Sequence, residues 1–108
     1  MTTLSTHVLD TERGAPAAGL GVALYRGDRS LAQTQTNADG RIGSLSADSL
    51  DPDIYRLVFD VASYYVALGR DAPFLQRVSV EFRVSASDAH YHVPLLLSPY
   101  ACTTYRGS

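Results

Sequence analysis

Val78-Ser79-Val80-Glu81-Phe82-Arg83-Val84 is the stretch that indicates the fold most directly. Its apolar and polar residues alternate without exception, so that the valines and the phenylalanine face one way and the polar side chains face the other. This alternation is typical of a β-strand in an antiparallel sheet with one solvated face. The stretch therefore predicts a half-buried strand.

The chain on both sides of this stretch has the same character. Apolar residues alternate, or Thr, Val and Leu predominate, in further predicted strands at residues 3–9, 20–24, 31–36 and 55–61. Turn-forming residues separate the strands at Gly14-Ala15-Pro16, Asn37-Ala38-Asp39-Gly40 and Asp51-Pro52-Asp53. Short strands with turns about every 8 to 12 residues favour a β-sandwich or a β-barrel.

One segment, residues 63–69, does not alternate. It is predicted to form a short helix of about two turns, with Ser63 as the N-cap and Gly69 as the stop signal. A chain of 108 residues has room for a single core, so residues 1–108 are predicted to form one domain.

Charge and composition exclude several classes of function. The formal net charge is −2, which argues against nucleic-acid binding through a basic face. All nine cationic side chains are arginines, so neither a Schiff base nor a lysine base is available. No apolar run approaches the roughly 20 residues that a membrane helix needs, so no membrane partner is expected.

The single cysteine, Cys102, excludes a disulfide within the chain and a thiolate metal cluster. Because it lies in an apolar-rich segment, it is expected to be a buried structural thiol. The first residues lack the cationic and apolar regions of a signal peptide. A cytoplasmic location is therefore expected.

Three histidines are the candidates for chemistry. His90 and His92 are two residues apart on the predicted strand that runs toward Leu97, so they share one of its faces. His7 lies on the first predicted strand, on the same side as Ser5 and Leu9. Arg41 directly follows the Asp39-Gly40 turn, where another strand is expected to begin.

The residues alone leave three interpretations of these histidines open. The His90 and His92 pair could bind zinc together with His7, leaving a fourth position for water. Alternatively, neutral imidazoles could activate water directly, since an ordinary pKa near 6.5 suits proton transfer at neutral pH. The third possibility is that they have no role.

Four segments together are more specific than any of them alone. They are Leu4-Ser5-Thr6-His7-Val8-Leu9-Asp10, Thr36-Asn37-Ala38-Asp39-Gly40-Arg41, His90-Tyr91-His92-Val93-Pro94-Leu95-Leu96-Leu97-Ser98-Pro99 and Tyr105-Arg106-Gly107-Ser108. Their order and spacing resemble the 5-hydroxyisourate hydrolase family, the transthyretin-like enzymes of urate breakdown. The resemblance covers essentially the whole chain.

The resemblance implies an all-β fold, a sandwich of two four-stranded antiparallel sheets with one short helix. It also implies a homotetramer, a dimer of dimers, with active sites in the channel between the dimers. The implied reaction is hydrolysis of 5-hydroxyisourate to 2-oxo-4-hydroxy-4-carboxy-5-ureidoimidazoline in purine breakdown. No metal and no cofactor is implied.

The site residues that the resemblance implies are specific positions of this sequence. His7 and His92 would activate water, and Arg41 would stabilise the oxyanion. The tail would bind the substrate through Tyr105, Arg106, Gly107 and Ser108. His90 lies beside the motif, and a structural role is expected for it.

The chain departs from the family just before this tail, where Ala101-Cys102-Thr103-Thr104 replaces the usual Gly-Tyr-Ser-Thr. The four motif segments are unaffected by that change. The alternative function is that of transthyretin itself, a carrier of a small ligand without catalysis. An aliphatic channel would favour the carrier, whereas a channel lined by His7, Arg41 and His92 favours turnover.

Overall fold

A computed structural model describes residues 2–46 and 48–108 of the chain. The described residues form strands and one helix, with these bounds: β1 Thr3–Asp10, β2 Ala15–Pro16, β3 Gly21–Arg26, β4 Arg29–Gln35, β5 Arg41–Ile42, β6 Asp53–Asp60, α1 Val61–Ala67, β7 Arg77–Val84, β8 His90–Leu97 and β9 Cys102–Thr104. None of the helical segments described is long and apolar enough to span a membrane.

The strands form two sheets, which confirms the predicted all-β sandwich. One sheet has the order β4-β3-β6-β7, and the other has the order β2-β1-β8-β9 with β5 also paired to β1. The second of these sheets differs in detail from the expected four antiparallel strands. Two-residue strands β2 and β5 pair with different parts of β1, which gives five strands, and β1 runs parallel to β8. Strands from opposite ends of the chain need no tight hairpin, so a parallel pair is possible here.

The core lies between the sheets and is formed by alternate residues of the strands. In β1, every second side chain from Leu4 to Asp10 is buried, while the intervening side chains are half-buried on the outer face. Leu57, Phe59 and Leu95 are fully buried at the centre. Burial of each such side chain stabilises the fold by about 1.5–3 kcal/mol.

The alternation that predicted β7 is confirmed, but its apolar face is less buried than expected. Val84 is buried, whereas Val78, Val80 and Phe82 are only partly buried against the core. The reason is topological, because β7 lies at the edge of its sheet and the opposite sheet covers it incompletely.

The helix begins two residues earlier than predicted, at Val61. Its N-cap is Asp60, whose carboxylate accepts a hydrogen bond from the Ser63 backbone N–H at 3.2 Å, so the assignment of Ser63 as N-cap is wrong. Asp is among the best N-cap residues because its oxygen satisfies an otherwise unpaired N–H group. Gly69 ends the helix as predicted, with the positive φ of 72° that glycine adopts without strain.

Cys102 is exposed, so the expected burial of this thiol is wrong. It lies in β9, which among the described residues pairs with β8 alone and forms the edge of its sheet. The local composition is apolar, but an edge strand leaves its side chains open to solvent.

A buried carboxylate fixes the end of β1. Asp10 is completely buried, and it accepts hydrogen bonds from the Tyr64 hydroxyl at 2.8 Å and from the Glu12 and Arg13 backbone N–H groups at 3.1 Å. A buried polar group costs stability unless it is paired in this way. These bonds join β1 to α1 and hold rigid the strand that carries His7.

Candidate active site

The outer face of the β1, β5 and β8 sheet carries the candidate catalytic side chains. His7 lies opposite Arg41 of β5 in the strand register, and opposite Pro94 of β8 on its other side. His92 lies opposite Ser5. The sequence prediction that His90 and His92 share a face is confirmed. Tyr91, which lies between them, and Val93, which follows His92, are both buried on the opposite face.

The three predicted catalytic residues are neighbours on this face. His7 and His92 are diagonal in the ladder, one strand apart and two residues along it, which separates their Cα atoms by about 8 Å. Arg41 completes the group from the far side of His7. Residues far apart in the chain are thus brought to one surface by a parallel strand pair and a two-residue strand.

The turn before Arg41 depends on a glycine. Gly40 has a φ of 72°, and a Cβ atom there would lie 2.5 Å from the Val8 carbonyl oxygen. The Val8 N–H donates to the Gly40 carbonyl at 2.8 Å. Only glycine permits this close approach, which places Arg41 beside His7.

A hydrogen-bonded chain connects the two histidines of β8. Ser5 Oγ lies 2.8 Å from His92 Nδ1 and 2.9 Å from His90 Nε2. At the other end of the chain, Thr3 Oγ1 lies 2.5 Å from His90 Nδ1. Ser5 was not among the predicted site residues. The two-residue strand period placed it on the face of His7, but nothing in the sequence gave its partner strand.

The surroundings of His92 favour its neutral form. Its pKa is lowered from the ordinary value of 6.5, first because the ring is partly buried and then because Arg41, His7 and His90 place positive charge nearby. Loss of hydration and repulsion from other cations both disfavour the imidazolium. A neutral imidazole at this position can accept a proton.

The C-terminal tail approaches His92 through Gly107. The Gly107 N–H donates to the His92 carbonyl at 2.7 Å, and a Cβ atom at position 107 would lie 2.6 Å from His92 Cδ2. A residue without a side chain is therefore required for the tail to lie against the imidazole ring. Ser108 follows directly and lines a pocket of about 320 Å³ together with Ser5, Arg41 and His92.

The other two tail residues lie elsewhere in the single chain. The Arg106 guanidinium stacks over the Tyr91 ring at 4.3 Å, donates to the His90 carbonyl at 3.3 Å and pairs with Asp88 at 3.5 Å. Tyr105 lines a separate groove that lies partly against β7. The structure therefore brings Gly107 against the His92 ring and Ser108 to the pocket, but brings neither Tyr105 nor Arg106 there.

The zinc interpretation lacks a ligand set within residues 2–46 and 48–108. No three His, Cys, Asp or Glu side chains there are arranged to hold a metal ion. His90 and His92 instead direct ring nitrogens at Ser5. The pocket offers imidazoles, a guanidinium and hydroxyl groups, which suit proton transfer and the binding of oxygen atoms.

A larger groove of about 430 Å³ lies on the outer face of the other sheet. Its lining includes Gln33, Asp60 and Arg77 but no imidazole. It therefore has no counterpart of the paired bases found beside Arg41.

Comparison with known proteins gives consistent matches over the whole chain. A model of the HIUase/Transthyretin family matches residues 4–107. The chain is 45% identical over 115 residues to 5-hydroxyisourate hydrolase of Caulobacter vibrioides, covering 100% of both proteins. It is 44% identical over 114 residues to the Pseudomonas aeruginosa 5-hydroxyisourate hydrolase, covering 97% of this chain and 90% of that protein. The structure of the Klebsiella pneumoniae 5-hydroxyisourate hydrolase is similar with a TM-score of 0.92, at 40% identity and with 100% of both chains covered.

Proposed function

The chain belongs to the HIUase/Transthyretin family, and from this premise we propose how its imidazole pocket hydrolyses 5-hydroxyisourate. The protein is a hydrolase of that substrate, as are the curated relatives that it matches over nearly their full length. The observation that supports the pocket as the active site is the placement of His7, Arg41 and His92 on one sheet face.

In the proposed reaction, water attacks a carbonyl carbon of a ring amide. One imidazole of the His7 and His92 pair takes a proton from the water while the other positions it. The new C–O bond forms, the ring C–N bond breaks, and the leaving nitrogen receives a proton. The product is 2-oxo-4-hydroxy-4-carboxy-5-ureidoimidazoline. Proton transfer by a positioned side chain contributes about 10²- to 10⁴-fold to such a reaction.

Arg41 has the role of the electrophile. Its planar, permanently charged guanidinium matches the oxygen on which negative charge develops as water adds. His92 can serve as the base beside it because burial and the neighbouring positive charges lower its pKa. The same cation therefore assists at two points, stabilising the oxyanion and keeping the base unprotonated.

We assign substrate binding to the tail, residues 105–108. Ser108 lines the pocket directly, and Gly107 pairs with His92 beside it. Arg106 holds the tail in place. Its guanidinium stacks on Tyr91 and donates to the His90 carbonyl, both in β8, and it pairs with Asp88 in the preceding loop. Tyr105 supports it from the adjoining groove.

The carrier alternative is not favoured. A carrier of an apolar ligand needs an aliphatic lining, whereas this pocket is bordered by imidazole, guanidinium and hydroxyl groups. Groups of that kind suit a small ligand rich in oxygen and a reaction that moves protons.

The proposed function is tested by adding the purified protein to freshly oxidised urate. We expect the transient ultraviolet absorbance of 5-hydroxyisourate to decay much faster with the protein than without it. The product should be detected by mass spectrometry as substrate plus one water. Decay at the uncatalysed rate, with tight binding of the unchanged substrate, would favour the carrier instead.

We propose that the protein acts as a homotetramer in the cytoplasm. The pocket is open on the outer face of one sheet, and half-buried Leu9 and Leu96 flank it on the same face, so a second copy would cover both. Light scattering on the purified protein tests this assembly. A mass of four chains of 11.7 kDa each is expected, and a monomer mass would contradict it.

A further inference from the structure

Ser5 and His90 are not used by the proposed reaction, yet they form a continuous path from the pocket. Ser5 Oγ lies between His92 Nδ1, at 2.8 Å, and His90 Nε2, at 2.9 Å. His90 is exposed, whereas His92 is half-buried. The chain of contacts therefore runs from the inner imidazole to one in contact with solvent.

Counting hydrogens shows that this chain can carry a proton. A serine hydroxyl has one hydrogen to donate and lone pairs to accept, and each neutral imidazole has one N–H group. In one direction, His92 Nδ1–H donates to Ser5, whose hydroxyl donates to His90 Nε2. In the other direction, His90 Nε2–H donates to Ser5, whose hydroxyl donates to His92 Nδ1. The first direction leaves His92 Nε2 as an acceptor, and the second leaves it as a donor.

The proposed reaction requires a proton to leave. Hydrolysis of an amide places one hydrogen of water on nitrogen and produces a carboxylic acid. That acid is ionised at neutral pH because ordinary carboxyl pKa values lie near 4. Each turnover therefore releases one proton, and a half-buried imidazole beside Arg41 and His7 is a poor place to retain it.

We propose that Ser5 and His90 are positioning residues that carry this proton from His92 to solvent, an inference that rests on the proposed function. Water gives a proton to His92 Nε2 as its O–H bond breaks, and the leaving nitrogen takes that proton as the C–N bond breaks, so His92 is again neutral with its proton on Nδ1. The carboxylic acid of the product then gives its proton to His92 Nε2. The Nδ1 proton of His92 passes to Ser5 Oγ while the Ser5 hydroxyl proton passes to His90 Nε2, and protonated His90 loses its Nδ1 proton to solvent. His92 is left neutral with a proton on Nε2, and proton exchange with solvent after product release restores the starting tautomer.

The surroundings of His90 fit this role. Thr3 Oγ1 lies 2.5 Å from its Nδ1 and orients the ring. Nearby charged groups include Arg106, whose guanidinium donates to the His90 carbonyl, Asp88, which pairs with Arg106, and Arg41, which lines the same pocket as His90. The carboxylate of Asp88 offsets the charge of Arg106 at this end of the path, and the exposure of His90 lets its proton pass to solvent.

Substitutions of Ser5 and His90 test the path. Ser5→Ala and His90→Ala are each expected to lower kcat about 10-fold with KM changed less than about twofold, since proton transfer and not substrate contact is lost. Ser5→Thr keeps a hydroxyl and should stay within about twofold of the wild type. Added imidazole should restore kcat in His90→Ala by accepting the proton from solvent. Ser79→Ala, an exposed serine of β7 on the other sheet, is the matched control.

Several results would overturn the path. Values of kcat within twofold of the wild type in both alanine variants would show that the proton leaves by another route. An equal loss in Ser5→Thr and Ser5→Ala would assign the effect to packing instead of the hydroxyl. Nitrogen-15 NMR of the histidines gives a readout that needs no turnover. The His92 Nδ1 and Nε2 shifts should change in Ser5→Ala but not in Ser79→Ala. If the wild type does not hydrolyse 5-hydroxyisourate, the proposed function fails, while this spectrum still decides whether Ser5 sets the tautomer.

Discussion

Replacing His92 with alanine is expected to lower the rate of 5-hydroxyisourate hydrolysis by about 10²- to 10⁴-fold with the fold intact. The imidazole is half-buried, its Nδ1 is held by Ser5, and its neutral form is favoured, so its removal takes away a positioned base. His7→Ala is expected to lose at least about 100-fold, because the second imidazole of the pair is needed to activate and position the water. The initial rate of absorbance decay measures both effects.

Two controls make this result specific. Gln33→Ala changes an exposed side chain on the other sheet and should leave the rate unchanged. Circular dichroism melting should show that each histidine variant remains folded. A fall of less than threefold for either histidine would remove that residue from the catalytic assignment.

The pH dependence follows from the direction of the His92 shift. Its pKa is lowered below 6.5 by burial, Arg41, His7 and His90, so the neutral base persists to more acidic pH than for an exposed histidine. The rate constant kcat/KM should therefore hold as pH falls through 6.5 and decline only below that value. An acid limb centred above 6.5 would contradict the assignment of His92 as the base.

Replacing Arg41 with glutamine is expected to reduce transition-state stabilisation by about 2.7–4 kcal/mol, which is roughly 10²- to 10³-fold in rate. The guanidinium lies opposite His7 in the register and borders the pocket with His92 and Ser108. Arg41→Lys should recover little, because an ammonium does not reproduce the planar fork of donors. The loss should appear in kcat/KM.

A second measurement on the same variant separates its two effects. Removal of the positive charge of Arg41 should raise the pKa of His92, since that charge is one cause of the lowering. NMR titration of His92 in Arg41→Gln should therefore show a higher midpoint than in the wild type. Arg29→Gln, an exposed arginine of β4 on the other sheet, is the matched control for rate and midpoint. Full activity in Arg41→Gln would remove the arginine from the mechanism.

The strands and the outward direction of the histidines could be predicted from the sequence because both depend on local periodicity. The alternation of residues 78–84 indicates a β-strand regardless of which strands pair with it. The two-residue spacing of His90 and His92 likewise puts both side chains on one face. The motifs that contain His7, Arg41 and His92 were sufficient to indicate the family, which the full-length matches confirm. The helix boundary was less accurate, because Asp60 and Ser63 are both good N-cap residues and only the backbone decides between them.

The sequence by itself determined the strand pattern, the family and the identity of the reactive side chains. Only the tertiary structure decided which of them meet. Ser5 contacts His92 across 87 positions of the chain, through a parallel pairing of β1 and β8 that no local signal specifies. Likewise, no local signal specifies that Cys102 is exposed, or that the Arg106 side chain contacts the Tyr91 ring and not the pocket. Periodicity depends on neighbours in the chain, whereas pairing, register and burial depend on how all the strands pack at once.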